Sequence, residues 1–372
     1  MLIEWKTVKQ WDIAVIGGGV IGLSLAWELR QGGASVLVLE RGELGGEASS
    51  AAGGMLAWCD PHLPPGARAL ALLSAECYAG FVSGLEEASG ISADLRRVGT
   101  IAVDEPPSVA FASDCRNLTV GEAAQLEPDL RASSRNLQWW PEWSIDPRRL
   151  MASLIGACRA RGVEMMTGVA VREVTAFQGR ATGVNSAEGV FSAKKVVNCA
   201  GAWAAQISCG VEPLPSPTRP VKGQMLALDT KGLLRHVVRA PEVYLIPRSD
   251  GTVVVGATVE EAGFDKVTDA AAIERLRSLA VALVPRLAEA PVRESWAGLR
   301  PGSPDGLPIL GETSLSGYFV ATGHFRDGIL LAPGTARVVA QMLLGESVSM
   351  DFGGLSPNRL QAARTAWAFF IS

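Results

Sequence analysis

The first forty residues change hydrophobic period twice. Asp12 to Ile16 (DIAVI) is a short apolar run. Val20 to Gln31 (VIGLSLAWELRQ) repeats its apolar positions at helical spacing and stops at Gly32-Gly33. Ala34 to Glu40 (ASVLVLE) is apolar and Val-rich, the pattern of a strand buried on both faces. Strand, helix, strand in that order predicts a βαβ unit with two parallel strands. Further along, Ala69 to Ser89 predicts a long helix, and residues 95–145 alternate short strands and turns. Asp146-Pro147 predicts a helix start, Asp as N-cap and Pro at the first helical position, with the helix running to about Arg161. Val163 to Val197 holds several strands. From Thr218 to Gly298 come strands with hairpin turns, notably YLIPR and TVVVGAT joined by SDG, plus one helix over Asp269 to Leu287. The chain then reads LPILG, GYFVATG and a helix from about Ile329 to Leu344.

A chain of 372 residues is too long for one ordinary core, so two domains are expected. The predicted partition is discontinuous: a nucleotide-binding domain from residues 1–90, 146–205 and 300–372, and a strand-rich domain from 91–145 and 206–299 inserted between them. The fold class is α/β, a Rossmann-like domain with an inserted antiparallel-sheet α+β domain. A 48% apolar content suits buried α/β layers. The net charge of −4, without a basic run, argues against nucleic acid or an anionic membrane as partner. MLIEWKTVKQ lacks the apolar core of a signal peptide, and Glu28 and Arg30 interrupt the run that starts at Ile13, so a cytoplasmic protein without a membrane span is expected. Six scattered cysteines without C-x-x-C, and only three histidines, imply neither a disulfide framework nor a metal site.

Gly17-Gly18-Gly19-Val20-Ile21-Gly22 fits G-x-G-x-x-G between a strand and a helix. Gly17 permits the tight turn, Gly19 lets backbone approach a pyrophosphate, and Gly22 lets helix pack on strand. The N–H groups of Val20 and Ile21 lie at the helix start, where partial positive charge favours an anion. Glu40 ends the second strand, where an acid holds a ribose hydroxyl and repels a 2′-phosphate, which argues against NADP. The fingerprint does not choose between FAD and NAD. Arg41 to Met55 (RGELGGEASSAAGGM) follows at once, with few side chains to obstruct a flat ligand and with Ser49 and Ser50 as phosphate donors.

The Glu40-Arg41 junction with Ala48-Ser49-Ser50-Ala51-Ala52-Gly53-Gly54-Met55 resembles the FAD-binding segment of the D-amino acid oxidase family, and within it the bacterial glycine oxidase type. Further matches follow in family order: Asn198 to Trp203 (NCAGAW), Arg219 to Gln224 (RPVKGQ), Tyr244 to Arg248 (YLIPR), Gly298 to Gly302 (GLRPG), and Gly323 to Pro333 (GHFRDGILLAP). The resemblance implies non-covalent FAD. It implies that Gly323, His324, Arg326, Asp327, Gly328, Ile329 and Leu330 line the isoalloxazine, with the following helix aimed at the ring. Val171, Gly201, Trp203 and Met55 would contact other parts of the cofactor. Arg300 would clamp a substrate carboxylate, Tyr244 would add a hydrogen bond, and Arg326 would stand at the mouth with Met55 nearby. His324 is expected to act through its backbone, and Asp327 to order the turn or pair with an arginine.

The implied reaction takes a hydride from Cα of a neutral amine, with no protein base required. The imine hydrolyses to a 2-oxo acid and ammonia, and O₂ becomes H₂O₂. Substrates would be glycine, small D-amino acids or N-methylglycine, with a place in thiamine thiazole synthesis and a homo-oligomer, possibly a homotetramer, by the same resemblance. Three positions depart from the type: Glu242 stands for His, Ala57 for Gly and Val259 for Met. A Glu242 facing the site would favour a cationic substrate group. Rival readings are a dehydrogenase feeding a quinone or dye, a nucleotide-binding protein without turnover, an enzyme acting on a nucleic-acid base, and a Rossmann NAD enzyme.

Overall fold

The strand Gln10–Ile16 pairs in parallel with Val36–Glu40, Ile13 opposite Val36, and the helix Val20–Gln31 joins them, as the hydrophobic pattern predicts. The computed structural model describes residues 9–108, 114–131, 136–210 and 216–360, so most of the N-terminal segment read above lies outside the described residues. Around this unit a first sheet runs in the order 309–312, 318–322, 189–198, 10–16, 36–40, 164–167. The strands 171–177 and 180–186 extend it as a hairpin on 189–198. The central strands are buried on both faces: Leu23, Leu25 and Val338 cover one side, Val174, Val184 and Tyr318 the other.

The second sheet has the order 292–302, 219–229, 252–256, 243–247, 237–240, 100–103, 137–140, 116–117. It is antiparallel except where Val237–Ala240 runs parallel to Thr100–Val103, a pairing across a long stretch of sequence that local pattern does not reveal. Period-two alternation divides its faces. Leu226, Leu245 and Val255 point to a core covered by the helix Ala270–Leu283. Met225, Ile246 and Val254 point the other way, where Met55 packs against them.

Two elements differ from expectation. A short helix, Val120–Leu126, lies within the region read as strands and turns; Thr119 and Glu122 form its capping box, a signal too short to outweigh its surroundings. The helix Ala270–Leu283 stops four residues early, because Pro285 starts a separate 3₁₀ turn. No helix among the described residues is long and apolar enough to cross a membrane.

The C-terminal helix Gly328–Leu344 carries Pro333 inside it and still continues. Proline lacks the N–H that would bond the Ile329 carbonyl. Tyr78 supplies a substitute, its hydroxyl donating to Ile329 O at 2.8 Å. Ser74 accepts from Gly334 N at 2.9 Å and donates to Leu330 O at 2.6 Å. Helix Arg68–Ser89 thus holds the first turn of the C-terminal helix in place. That turn faces the cavity described next.

Candidate functional site

A cavity of about 690 Å³ runs between the two sheets, in the size range of small-molecule and cofactor sites. One end is the glycine turn. Gly17 has φ +105°, and a Cβ there would stand 2.6 Å from the Cys199 carbonyl oxygen. A Cβ on Gly22 would overlap the Gly17 carbonyl oxygen, so helix and turn touch as the motif requires. Glu40 is buried and accepts from Gly18 N and Gly42 N, both at 2.8 Å. Its carboxylate therefore braces the turn as well as lining the cavity. Ser49 Oγ accepts from Val20 N at 2.9 Å, which uses one of the helix's free N–H groups and leaves the hydroxyl proton to donate.

Gly17, Gly19, Val20, Ile21, Glu40, Arg41, Ala48, Ser49, Gly53, Gly54 and Met55 all line this cavity, with Val171, Gly201 and Trp203. Gly22, Ser50, Gly323 and Leu330 do not reach its wall; Ser50 faces a separate recess beside Arg148 and Trp296. At the Arg41 rim the guanidinium lies 3.5 Å from the Trp203 ring centroid, and Phe264 packs on Trp203 at 5.2 Å.

The stretch 324–329 forms another part of the wall. His324 is 3% exposed, and its Nε2 meets Thr335 Oγ1 at 3.0 Å. Burial holds its pKa down to about 3, so it is neutral. Asp327 departs from expectation. It is the N-cap residue of the C-terminal helix, yet its side chain makes no capping bond. Nor does it form an ion pair among the described residues. It is half-buried and lines the cavity.

The floor comes from the second sheet. Trp296, Met225, Gly256, Tyr244, Arg239 and Ala102 stand opposite one another on successive strands and so share one face, and the middle four of them line the cavity. Glycine makes room on this floor. A Cβ on Gly256 would stand 2.6 Å from the Tyr244 ring, and one on Gly223 would overlap the Arg300 guanidinium. Arg300, near the end of strand Val292–Gly302, donates from Nη1 to Thr258 O at 3.0 Å and Lys222 O at 3.3 Å. One edge of the guanidinium is anchored while the group lines the cavity. Glu242 reaches the rim but is exposed and paired with Arg275, so its charge is matched outside the site.

Sequence reading missed a buried ionic group in the same cavity. Arg239 Nη2 donates to Asp60 at 2.8 Å and Nε to Glu105 at 3.1 Å. His62 meets the other Glu105 oxygen at 3.2 Å, and Arg326 approaches Asp60 at 3.7 Å. Arg239 was detectable in principle, since pairing VVRA with VYLIP puts it opposite Tyr244. Glu105 carries no sequence signal. Behind the group lies Glu142, 2% exposed, whose carboxyl burial pushes up to about 7 while Arg239 pulls it the other way. A raised carboxyl destabilises the fold only where it must ionise. The cost is absent below its ordinary value of 4.5, grows as pH rises toward 7, and is constant above. Glu142→Gln keeps an acceptor for Cys59 N, so its melting temperature should match wild type near pH 4.5. At pH 8 it should exceed wild type, by a stability gain of about 3 kcal/mol. Equal shifts at both pH values would contradict this account.

The glycine cradle, the braced acid and the size of the cavity fit a dinucleotide with a planar ring. No cluster of potential metal ligands occurs among the described residues. A family model described as "DAO: FAD dependent oxidoreductase" matches residues 12–342. Glycine oxidase of Pseudomonas putida is 35% identical over 93% of this chain and 98% of its own length. The bifunctional protein ThiO/ThiG of Synechocystis sp. is 34% identical over 94% of this chain, which spans 54%, about half, of that longer protein. The crystal structure of glycine oxidase from Geobacillus kaustophilus superposes with a TM-score of 0.86 at 30% identity, covering 93% of this chain and 98% of that one.

Proposed function

The chain belongs to the DAO family of FAD-dependent oxidoreductases, and we propose that it oxidises glycine and small amines of the same kind, D-alanine or N-methylglycine among them. One observation carries this reading: the glycine turn, the 324–329 wall and the Arg300–Tyr244 floor meet in a single cavity. A place in thiamine thiazole synthesis belongs to the same proposal and is supported by the ThiO/ThiG relatives.

FAD would be held by the 17–22 turn, Glu40, Ser49 and the Arg41 rim, and when bound it supplies two-electron oxidation with O₂ as final acceptor. The chain's own residues do the rest. Arg300 binds the substrate carboxylate through its free edge, and Tyr244 adds a hydroxyl donor beside it. Met55, Met225 and Gly256 keep the floor apolar, so water is excluded where Cα must lie. Small residues on this floor suit a substrate with little side chain. The products are the imine, its hydrolysis products (a 2-oxo acid and ammonia), and H₂O₂.

Anaerobic titration with glycine, D-alanine and N-methylglycine tests the proposal. The yellow holoprotein should bleach with at least one, and air should restore the colour with stoichiometric H₂O₂. A spectrum unmoved by every amine overturns it. Bleaching that air does not reverse but a dye does would make the enzyme a dehydrogenase.

A further inference from the structure

We infer that Asp327 is the proton acceptor for the substrate ammonium, a role that rests on the amine-oxidising function proposed above. The geometry is specific. The carboxyl lines the cavity at the start of the C-terminal helix, within electrostatic reach of Arg300, without capping that helix and without an ion-pair partner among the described residues. Its flanking residues are otherwise committed: His324 to Thr335, Arg326 toward Asp60.

The charges around it make the case. From its own segment comes Arg326, from the loop after Met55 comes Asp60, from strand Val237–Ala240 comes Arg239, and from strand Val292–Gly302 comes Arg300. Glu105 binds Arg239 and His62, and Glu142 lies behind them. Around Asp327, three guanidiniums of the wall (Arg239, Arg300, Arg326) thus meet three of its carboxyls (Asp60, Glu105 and Asp327 itself), while Arg41, Arg172, Glu40, Glu47 and Glu242 lie elsewhere along the same cavity. A zwitterionic amino acid, with one charge of each sign, enters without disturbing that balance.

Oxidation requires the free amine, because the nitrogen lone pair must assist loss of hydride from Cα. If the ammonium proton escaped to solvent, the site would keep one uncompensated negative charge in a low-dielectric space. Transfer to Asp327 avoids this. The N–H bond breaks, an O–H bond forms on the Asp327 carboxylate, and H₃N⁺–CH₂–COO⁻ becomes H₂N–CH₂–COO⁻. No electrons change hands in this step. Asp60 and Glu105 are poorly placed to compete, because each already accepts from Arg239. Burial pushes the Asp327 carboxyl up to about 6, against the opposing pull of Arg326. It is therefore mostly ionised at neutral pH and still basic enough to take a proton, the range expected of a carboxylate base. Once product leaves, the proton returns to solvent.

Two measurements on the holoenzyme test the role. The first is the pH profile of kcat/KM for glycine. In wild type the acidic limb should level off near the titration of Asp327. In Asp327→Asn only free amine reacts, so kcat/KM should climb about tenfold per pH unit until the amine itself titrates. At pH 7 the variant should be at least about a hundredfold slower, with the gap closing toward pH 10. The second needs no turnover. Acetate carries the carboxylate without the ammonium, so it should bind best when Asp327 is protonated. Its Kd, read from the flavin absorbance band, should rise about tenfold per pH unit above pH 6 in wild type and stay flat in Asp327→Asn. Asp327→Glu retains a titrating carboxyl and should retain the slope. Identical acetate slopes in wild type and Asp327→Asn, or an unchanged glycine profile in that variant, overturn the inference while leaving the oxidase reading intact. If no amine bleaches wild type, that reading fails and this role fails with it.

Discussion

Arg300→Met should lower kcat/KM for glycine by roughly a thousandfold while leaving FAD bound. Truncating one partner of a desolvated guanidinium–carboxylate pair costs about 2–5 kcal/mol, and about 4 kcal/mol corresponds to a factor of a thousand. Two structural features make Arg300 this sensitive. Its Nη1 is anchored to the Thr258 and Lys222 carbonyls, so the group is held in place before substrate arrives. Gly223 supplies the space it occupies, since a Cβ there would overlap the guanidinium. Arg300→Lys should recover only part of the loss, because a point charge does not reproduce the planar fork. The loss should appear mainly in KM if Arg300 only binds, and in kcat as well if it also orients Cα. Near-normal turnover in Arg300→Met, with the holoenzyme spectrum intact, would remove the clamp from the proposal.

The second large effect is on the cofactor. Gly22→Val should yield protein that purifies without yellow colour, with FAD affinity reduced by more than about a hundredfold. A side chain at this position meets the Gly17 carbonyl oxygen and crowds Val15, so helix Val20–Gln31 must lift from its strand. Such overpacking costs at least about 1–3 kcal/mol. The displacement is also applied where, in the proposed cofactor site, the N–H of Ile21 and the hydroxyl of Ser49 would meet a pyrophosphate. Substitution of Gly33 provides the control. That glycine has φ +82° but open space around it, so Gly33→Asn should lower stability slightly and leave flavin content unchanged. Equal flavin loss in both variants would show that general destabilisation, not the cradle, is responsible.

Much of the site was legible because its parts are local. Glycines at fixed offsets between a strand and a helix read as a phosphate cradle, and the turn has the required positive φ at Gly17. The family resemblance of GHFRDGILLAP implied a wall against a flat ring over Gly323 to Leu330, and residues 324–329 line the cavity that the turn also lines, while Gly323 and Leu330 do not. Asp327 shows where such reading stops. It was expected to order the turn or pair with an arginine, but its side chain makes no capping bond and no ion pair among the described residues, and lines the cavity instead. Glu242 shows the converse: its position beside Tyr244 in sequence suggested a charge in the site, and Arg275, 33 residues away, matches it outside.

By itself the sequence determined the βαβ unit, the cradle and the order of the family's motifs, because hydrophobic period and glycine spacing act over a few residues and need no distant partner. Only the tertiary structure decided the ionic wall. Asp60, Glu105, Arg239 and Arg326 come from segments separated by tens to hundreds of residues, and none follows a pattern of its own. Buried charges are held by partners in space, and which partners meet is settled by how the sheets pack rather than by the residues on either side.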